Sequence, residues 1–205
     1  DGEIAFVDKQ VGRIFDAIAA APWGARTAIV ITSDHGELFG EHGMWRHGFE
    51  VWEKLMRVPL IFYVPGLPPS RIKARRSAID IVPTLLDLVG LPQPPHASAA
   101  TSNDFVSGVS MLADLFAPPG KEPPQRDIFI DMPGGPYNDP RRALIHDDLK
   151  MIVSNDSRYE LYDLASDAEE KKNLWDTDAR KPMEERYAAV RAALKEIRVT
   201  GARKQ

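Results

Sequence analysis

Asp34 and His35 stand side by side at the end of an apolar run, and Gly36 follows them directly. A carboxylate beside a neutral imidazole offers two ligand atoms of the kind divalent cations take, and the glycine lets a ligand or a second backbone come close. Two ligands do not complete a coordination sphere, so further groups must come from elsewhere. His47 is a third candidate, as a proton donor or as a cationic hydrogen-bond donor to an anionic group, because histidine is the side chain most easily charged near neutral pH. Together the three residues suit metal-assisted hydrolysis of an ester. They do not suit a zincin, since Gly36 separates His35 from Glu37 and no second histidine completes the HExxH spacing.

Each residue also has a plainer reading. Asp34 is of the type that forms turns and helix caps, and a single histidine such as His35 is often a satisfied structural group. His42, between Glu41 and Gly43, reads as a loop residue. Glu37, Glu41, Glu50 and Glu53 read as solvated or supporting carboxylates, and Arg71, Lys73, Arg75 and Arg76 as a charged loop. Trp45 and Trp52 read as packing residues. For Asp34, His35 and His47, residue type alone leaves the chemical and the structural readings both open.

The elements that must position these groups follow from the pattern around them. Residues 27–32 and 58–64 are short apolar runs without strict alternation, which predicts strands covered on both faces in an α/β sheet. The first delivers Asp34 and His35 at its carboxyl end, where open α/β sheets bind ligands. Between the two runs lies a loop rich in Gly and His, with a short helix expected over 49–55. Upstream, Ile4, Val7, Val11, Ile14 and Ile18 recur every three or four residues, the stripe of an amphipathic helix that Pro22 and Gly24 end. Downstream, Asp80 can cap a helix with Pro83 in its first turn, directing Ile81, Leu85, Leu88 and Val89 toward a core, and Gly90 and Pro92 end it. Residues 93–108 are small and polar, a surface linker, and 111–116 can add a helical turn. Beyond a Pro-rich boundary at 118–124, strand patterns at 127–131, 142–146, 149–154 and 159–164 predict a small antiparallel sheet. A helix over 182–199, carrying Met183, Tyr187, Val190, Leu194 and Ile197 on one face, can cover that sheet. The expected division is therefore 1–117, part of an α/β domain, and 118–205, a small antiparallel sheet with one helix.

Composition excludes several partners. The 205 residues are 43% hydrophobic and 27% charged, ordinary for a globular chain with one substantial core or one domain plus a smaller one. A net charge of −4, with Lys and Arg spread along the chain, gives no basic footprint for nucleic acid, and the apolar runs are too short to span a bilayer. The absence of Cys excludes disulfides and thiolate metal sites but does not identify a compartment. The chain opens on Asp1 with no basic-then-apolar leader, so an internal cut is the expected origin of its start.

Five motifs in order then point to a family. SDHGE, GEHGMWRHG, RVPLIFYVPG, IDIVPTLLDLVGLP and ELYDLASDAEEKKNL, preceded by DGEIAFVDKQVGRIFDAI, closely resemble the carboxyl-terminal part of the sulfatase family, within the alkaline-phosphatase-like superfamily. The resemblance spans nearly the whole chain. It implies an alkaline-phosphatase-like α/β fold, here in part, with a mixed sheet and flanking helices followed by a small antiparallel subdomain. It implies that Asp34 and His35 bind a divalent cation, Ca2+ or Mn2+ foremost and Zn2+ or Mg2+ next. His47 stands where many members carry a Lys that contacts the sulfate or the leaving-group oxygen. The implied nucleophile is a formylglycine made within a C/S-x-P-x-R motif; no Ser of this chain sits in that motif and there is no Cys. The implied protein is thus a hydrolase of small-molecule sulfate esters whose nucleophile lies upstream, leaving this chain inactive by itself. A phosphodiester or phosphonate monoester hydrolase, or a phosphoryl-transfer relative, is the alternative, and a non-catalytic binding or assembly module the third.

Overall fold

The stripe of Ile4, Val7, Val11, Ile14 and Ile18 does form a helix, and the rest of the chain alternates short strands and helices after it. The computed structural model describes residues 1–99, 105–118 and 120–195. In chain order the elements are α1 (Gly2–Ala20), β1 (Ile29–Thr32), β2 (Leu38–Phe39), β3 (Trp45–Arg46), α2 (Glu53–Met56), β4 (Leu60–Tyr63), α3 (Ile81–Leu88) and α4 (Leu112–Leu115), then β5 (Ile128–Met132), β6 (Arg141–His146), β7 (Leu149–Ser154), β8 (Arg158–Asp163) and α5 (Arg180–Ala193). They fall into two compact units, Asp1–His35 with Val58–Ser70, and Gly36–Arg57 with Arg71–Gln205.

In the first unit β1 and β4 pair antiparallel, Ile29 opposite Tyr63 and Thr32 opposite Leu60. Sequence reading had both strands covered on two faces. The structure corrects this: burial alternates along β4, and Ile61 and Tyr63 are more than half exposed. Among the described residues the sheet has only these two strands, and Ile61 and Tyr63 lie on the more open face of β4. The α1 stripe is likewise open at Ile4, Val7 and Ile14.

The second unit is built on the meander β5-β6-β7-β8, all antiparallel, in the expected order. Its strands carry apolar runs rather than alternation because both faces are covered. On one face Leu144, Met151, Val153 and Leu161 pack with Met183 and Tyr187 of α5. On the other, Ala143, Ile152 and Tyr162 pack with Leu38, Val51, Trp52 and Leu55. The segment that contains the central loop is thus the second cover of the small sheet. The helix expected over 49–55 is shorter, confined to Glu53–Met56, and the end of the helix expected over 182–199, including Ile197, lies outside the described residues, as do 100–104 of the linker and Pro119 of the boundary.

Two expectations for residues 71–92 change. Leu85 of α3 and Val89 just after it are exposed, while Thr84 is fully buried. The reason is polar: Thr84 Oγ1 donates to Asp80 O at 2.6 Å and accepts the Met111 N–H at 2.8 Å, so this face grips the chain at 109–111. Asp80 does not cap α3 with its side chain; it closes a capping box with Ser77 over the preceding 3-10 turn and accepts the Val109 N–H. The basic segment is no free loop either. Arg76 pairs with Asp114 at 2.6 Å, both nearly buried, and Arg75 reaches Asp148 at 2.9 Å.

The sheet and its second cover are joined by a buried ion triad. Lys150 Nζ, fully buried on β7, lies 3.0 Å from Glu53 Oε1 and 2.9 Å from Glu170 Oε1, and Glu170 Oε2 accepts the Glu53 N–H at 2.6 Å. Glu170 holds a left-handed φ of 53°, a conformation that costs a non-glycine residue about 1–2 kcal/mol. Burial pushes its carboxyl above the usual range, with Lys150 acting against that shift. Lys150→Met leaves two buried carboxylates without their cation and is expected to lower unfolding free energy by about 3–5 kcal/mol in urea titrations of the full-length protein near neutral pH. A carboxyl raised in the folded state binds more protons there than when unfolded, so stability rises as pH falls through its folded pKa. Loss of Lys150 removes what opposes that upward shift, so the variant gains more than the wild type in mildly acid buffer and its deficit should narrow.

Candidate functional site

In the first unit, β1 ends at Thr32 and the chain turns through Ser33. The Ser33 Oγ donates to the His35 carbonyl at 2.7 Å, and the His35 N–H donates to Asp34 Oδ1 at 3.0 Å. This local turn folds the Asp34 carboxylate back on its neighbour. Oδ2 then faces His35 Nε2 at 3.6 Å. The His35 N–H is also the main reason the Asp34 carboxyl sits below its ordinary range, with the imidazole adding to it. Asp34 is therefore an anion across the working range of pH, and its side chain is 87% exposed.

That pair can be tested against a cation. Ligand bonds of about 2.0–2.5 Å at angles of about 90–110° put neighbouring donor atoms about 3–4 Å apart. The 3.6 Å between Oδ2 and Nε2 falls inside that span, and one hard and one borderline donor match the cations expected from the sequence. The two residues fit a divalent ion as adjacent ligands.

In the second unit, β2 and β3 form a two-rung ribbon, Leu38 opposite Arg46 and Phe39 opposite Trp45. Leu38 is fully buried on the small sheet and anchors it. The intervening turn uses Gly40 at φ 115° and His42 at φ 52°, and is closed by Glu41, whose carboxylate accepts the Phe39 N–H at 2.7 Å and is held low by it. His42 stacks on Trp52 with ring centroids 3.9 Å apart, a packing role that agrees with its reading as a loop residue. Trp52 packs as expected. Trp45 does not: it is 69% exposed. His47 Nδ1 lies 3.5 Å from Glu37 Oε2.

The ribbon is fixed at its start. The Gly36 N–H donates to Leu55 O at 2.7 Å, and a side chain on Gly36 would place its Cβ 1.9 Å from the Lys54 carbonyl oxygen. Glu50 adds a second anchor through a two-pronged bond to Arg141, at 2.7 and 2.8 Å. The structure thus places Asp34 with His35 in one unit and His47 with Glu37 in the other. Sequence reading set Glu37 among the supporting carboxylates and did not pair it with His47. Strands of two residues carry no periodic signal, and only the structure shows that the Glu37 carboxylate meets the His47 ring.

The comparisons bear on the same residues. The family model described as Sulfatase matches residues 1–91, a stretch that contains Asp34, His35 and His47. A protein named Sulfatase from Formosa agariphila is 34% identical over 169 residues, covering 82% of this chain and 30% of its own length. The chain belongs to the sulfatase family. The crystal structure of the phosphonate monoester hydrolase of Agrobacterium radiobacter superposes with a TM-score of 0.74 at 26% identity, covering 93% of this sulfatase chain and 40% of the hydrolase. A structure solved with its substrate, D-glucosamine-2-N,6-O-disulfate, superposes with a TM-score of 0.71 at 25% identity, covering 91% and 37%. The fold is the alkaline-phosphatase-like α/β fold, with a separate small antiparallel sheet of four strands. The sulfatase chain spans about a third of the length of the curated relatives it matches.

Gly36 gives a local test. Gly36→Ala forces the ribbon off α2 and is expected to cost about 1–3 kcal/mol of stability, seen as a lowered thermal midpoint of the full-length protein. A neutral result would show that the close approach at Lys54 is not rigid.

Proposed function

We propose that this chain supplies part of the active site of a metal-dependent sulfuric ester hydrolase. The observation that carries the reading is the 3.6 Å pairing of Asp34 Oδ2 with His35 Nε2 at the carboxyl end of β1, inside the stretch that matches the Sulfatase family model. Asp34 and His35 would hold one divalent cation, with Ca2+ or Mn2+ the leading candidates and Zn2+ or Mg2+ next. When bound, the cation supplies charge to polarise the ester oxygens and to lower the pKa of a nucleophile. The remaining tasks fall to side chains. Asp34, held low by the His35 N–H, keeps its charge without competing protonation. His47 would place a proton or a hydrogen bond at the departing oxygen, and Glu37, 3.5 Å from its Nδ1, would orient its ring. The nucleophile is proposed to lie in a part of the protein outside these residues, since no Cys and no Ser in a C/S-x-P-x-R motif is present. On that view the chain alone turns over nothing.

A second reading rests on the phosphonate monoester hydrolase, whose TM-score of 0.74 is slightly above that of the substrate-bound structure at 0.71. Parallel assays of the full-length protein on an aryl sulfate and an aryl phosphonate monoester separate the two.

In the full-length protein Asp34→Ala is expected to lose bound metal and activity together, measured by elemental analysis and turnover; unchanged metal content would sink the ligand assignment. His47→Ala is expected to lower kcat by about 10²–10⁴-fold with metal retained. Full activity in that variant would remove His47 from the chemistry.

A further inference from the structure

At one end of the small sheet, the cover formed by residues 38–55 leaves a cavity. Arg141, Ser154 and Arg158 stand opposite one another across β6, β7 and β8, and two residues further along the strands Ala143, Ile152 and Glu160 make the next row of the same face. Ala143 and Ile152 pack with Trp52 and Leu38, whereas the row at Arg141 borders an open volume of 290 Å³. Glu50 and Trp52 line it from the cover, and Asn155 and Ser157 from the β7–β8 turn.

The charges on these walls are already paired. Arg141 donates through Nε and Nη2 to the two Glu50 oxygens at 2.7 and 2.8 Å, and Arg158 Nη2 donates to Glu160 Oε1 at 3.0 Å. The Tyr162 hydroxyl donates to that same oxygen at 3.3 Å, so both of these bonds fall on Oε1 and leave Oε2 for an incoming donor. Asp139 is a third carboxylate against two guanidinium groups, which gives the cavity one negative charge in excess. One donor is left over. Trp52 is 9% exposed, with a face stacked on His42, and its Nε1–H is buried with no acceptor among the described residues. A buried donor without a partner costs about 1–3 kcal/mol. An oxygen arriving in the cavity that Trp52 lines removes that cost.

We propose that this cavity binds a compact, neutral, hydroxyl-rich molecule, a polyol that is either free or an uncharged sugar unit of a glycan. The excess negative charge turns away sulfate, phosphate and carboxylate, because an anion placed there meets one carboxylate too many. A closed guanidinium–carboxylate pair still presents N–H groups and lone pairs side by side, and vicinal hydroxyls match that pattern because each both donates and accepts. Ser154, Ser157 and Asn155 continue it with two hydroxyls and an amide. The Trp52 N–H then meets a hydroxyl oxygen, and Glu160 Oε2 a hydroxyl proton. Since one face of the indole is taken by His42, the ligand is recognised by its pattern of hydroxyls and not by stacking. The volume lies at the lower end of small-molecule sites, about 300–1,000 Å³, which suits one ring and not a chain. The ligand needs no ester group, so the inference stands apart from the roles of Asp34, His35 and His47.

The test is an NMR titration of the full-length protein, isotope-labelled at tryptophan and followed at the Trp52 indole N–H, whose resonance is assigned by its disappearance in Trp52→Phe. The probes are myo-inositol, methyl β-D-glucopyranoside and, as an anion of similar size, D-glucuronate. The Trp52 resonance is expected to move and saturate with at least one neutral probe, and D-glucuronate to bind at least about tenfold more weakly. Arg158→Ala, at a side chain 74% exposed, is expected to raise Kd for the neutral probe about three- to tenfold. Unmoved resonances of the other tryptophans in that variant serve as the check on folding. Saturation by the glucopyranoside alone assigns the cavity to a glycan unit, by myo-inositol alone to a free cyclitol, and by both to polyols in general. A Trp52 resonance that neither neutral probe moves overturns the proposal. So does a response to D-glucuronate as strong as to the neutral probes, or a Kd that Arg158→Ala leaves unchanged.

Discussion

Lys150 is the constraint on which the second unit depends. A fully buried ammonium on the central hairpin strand β7 must be neutralised, and it is neutralised by two carboxylates from distant parts of the chain, Glu53 and Glu170. Replacing such a cluster by apolar groups of the same shape is often neutral or stabilising, so its value is not stability as such. Its value is geometry. An apolar contact tolerates sliding, whereas a charge without its partner costs several kcal/mol, so α2 can sit on the sheet in only one way. From α2 the constraint passes by short steps: the Leu55 carbonyl holds the Gly36 N–H, and Gly36 begins the ribbon that carries Glu37 and His47.

The small antiparallel sheet therefore does more than close off the end of the chain. It is sandwiched, with α5 on one face and residues 38–55 on the other, and the candidate proton donor rides on that second cover. This explains why Arg141, at the start of the inner strand β6, spends two nitrogens on Glu50, and why Trp52 is wedged between His42 and Tyr162. A loop with this many glycines has no stiffness of its own. It borrows it from the sheet beneath, through one buried leucine, one tryptophan and two carboxylates.

Much of the site was legible because it is local. Asp34 and His35 are neighbours, so their pairing needs only the turn at Ser33, and residue type and strand-end position already mark them as candidates. The partner of His47 was not legible, nor were the roles of Glu53 and Glu50 or the exposure of Trp45. A glutamate in a loop reads as solvated until something buried is found opposite it, and Lys150 and Arg141 lie some ninety residues away in sequence. The order of the four-strand meander and the helix that covers it was readable, because hairpins and amphipathic stripes are set by neighbours in sequence. The exposure of β4 and of Leu85 and Val89 was not, since burial depends on what arrives from elsewhere.

The sequence by itself determined what is local: which residues are candidate ligands, roughly where strands end, which segments form helices, and which family the order of motifs resembles. Tertiary structure alone decided which carboxylate meets which cation and which face of the loop is turned to solvent. The physical reason is that hydrogen-bonded turns and periodic burial are fixed over a few residues, whereas a buried ion pair is fixed by the cost of leaving either charge alone, and that cost acts across any distance in the chain.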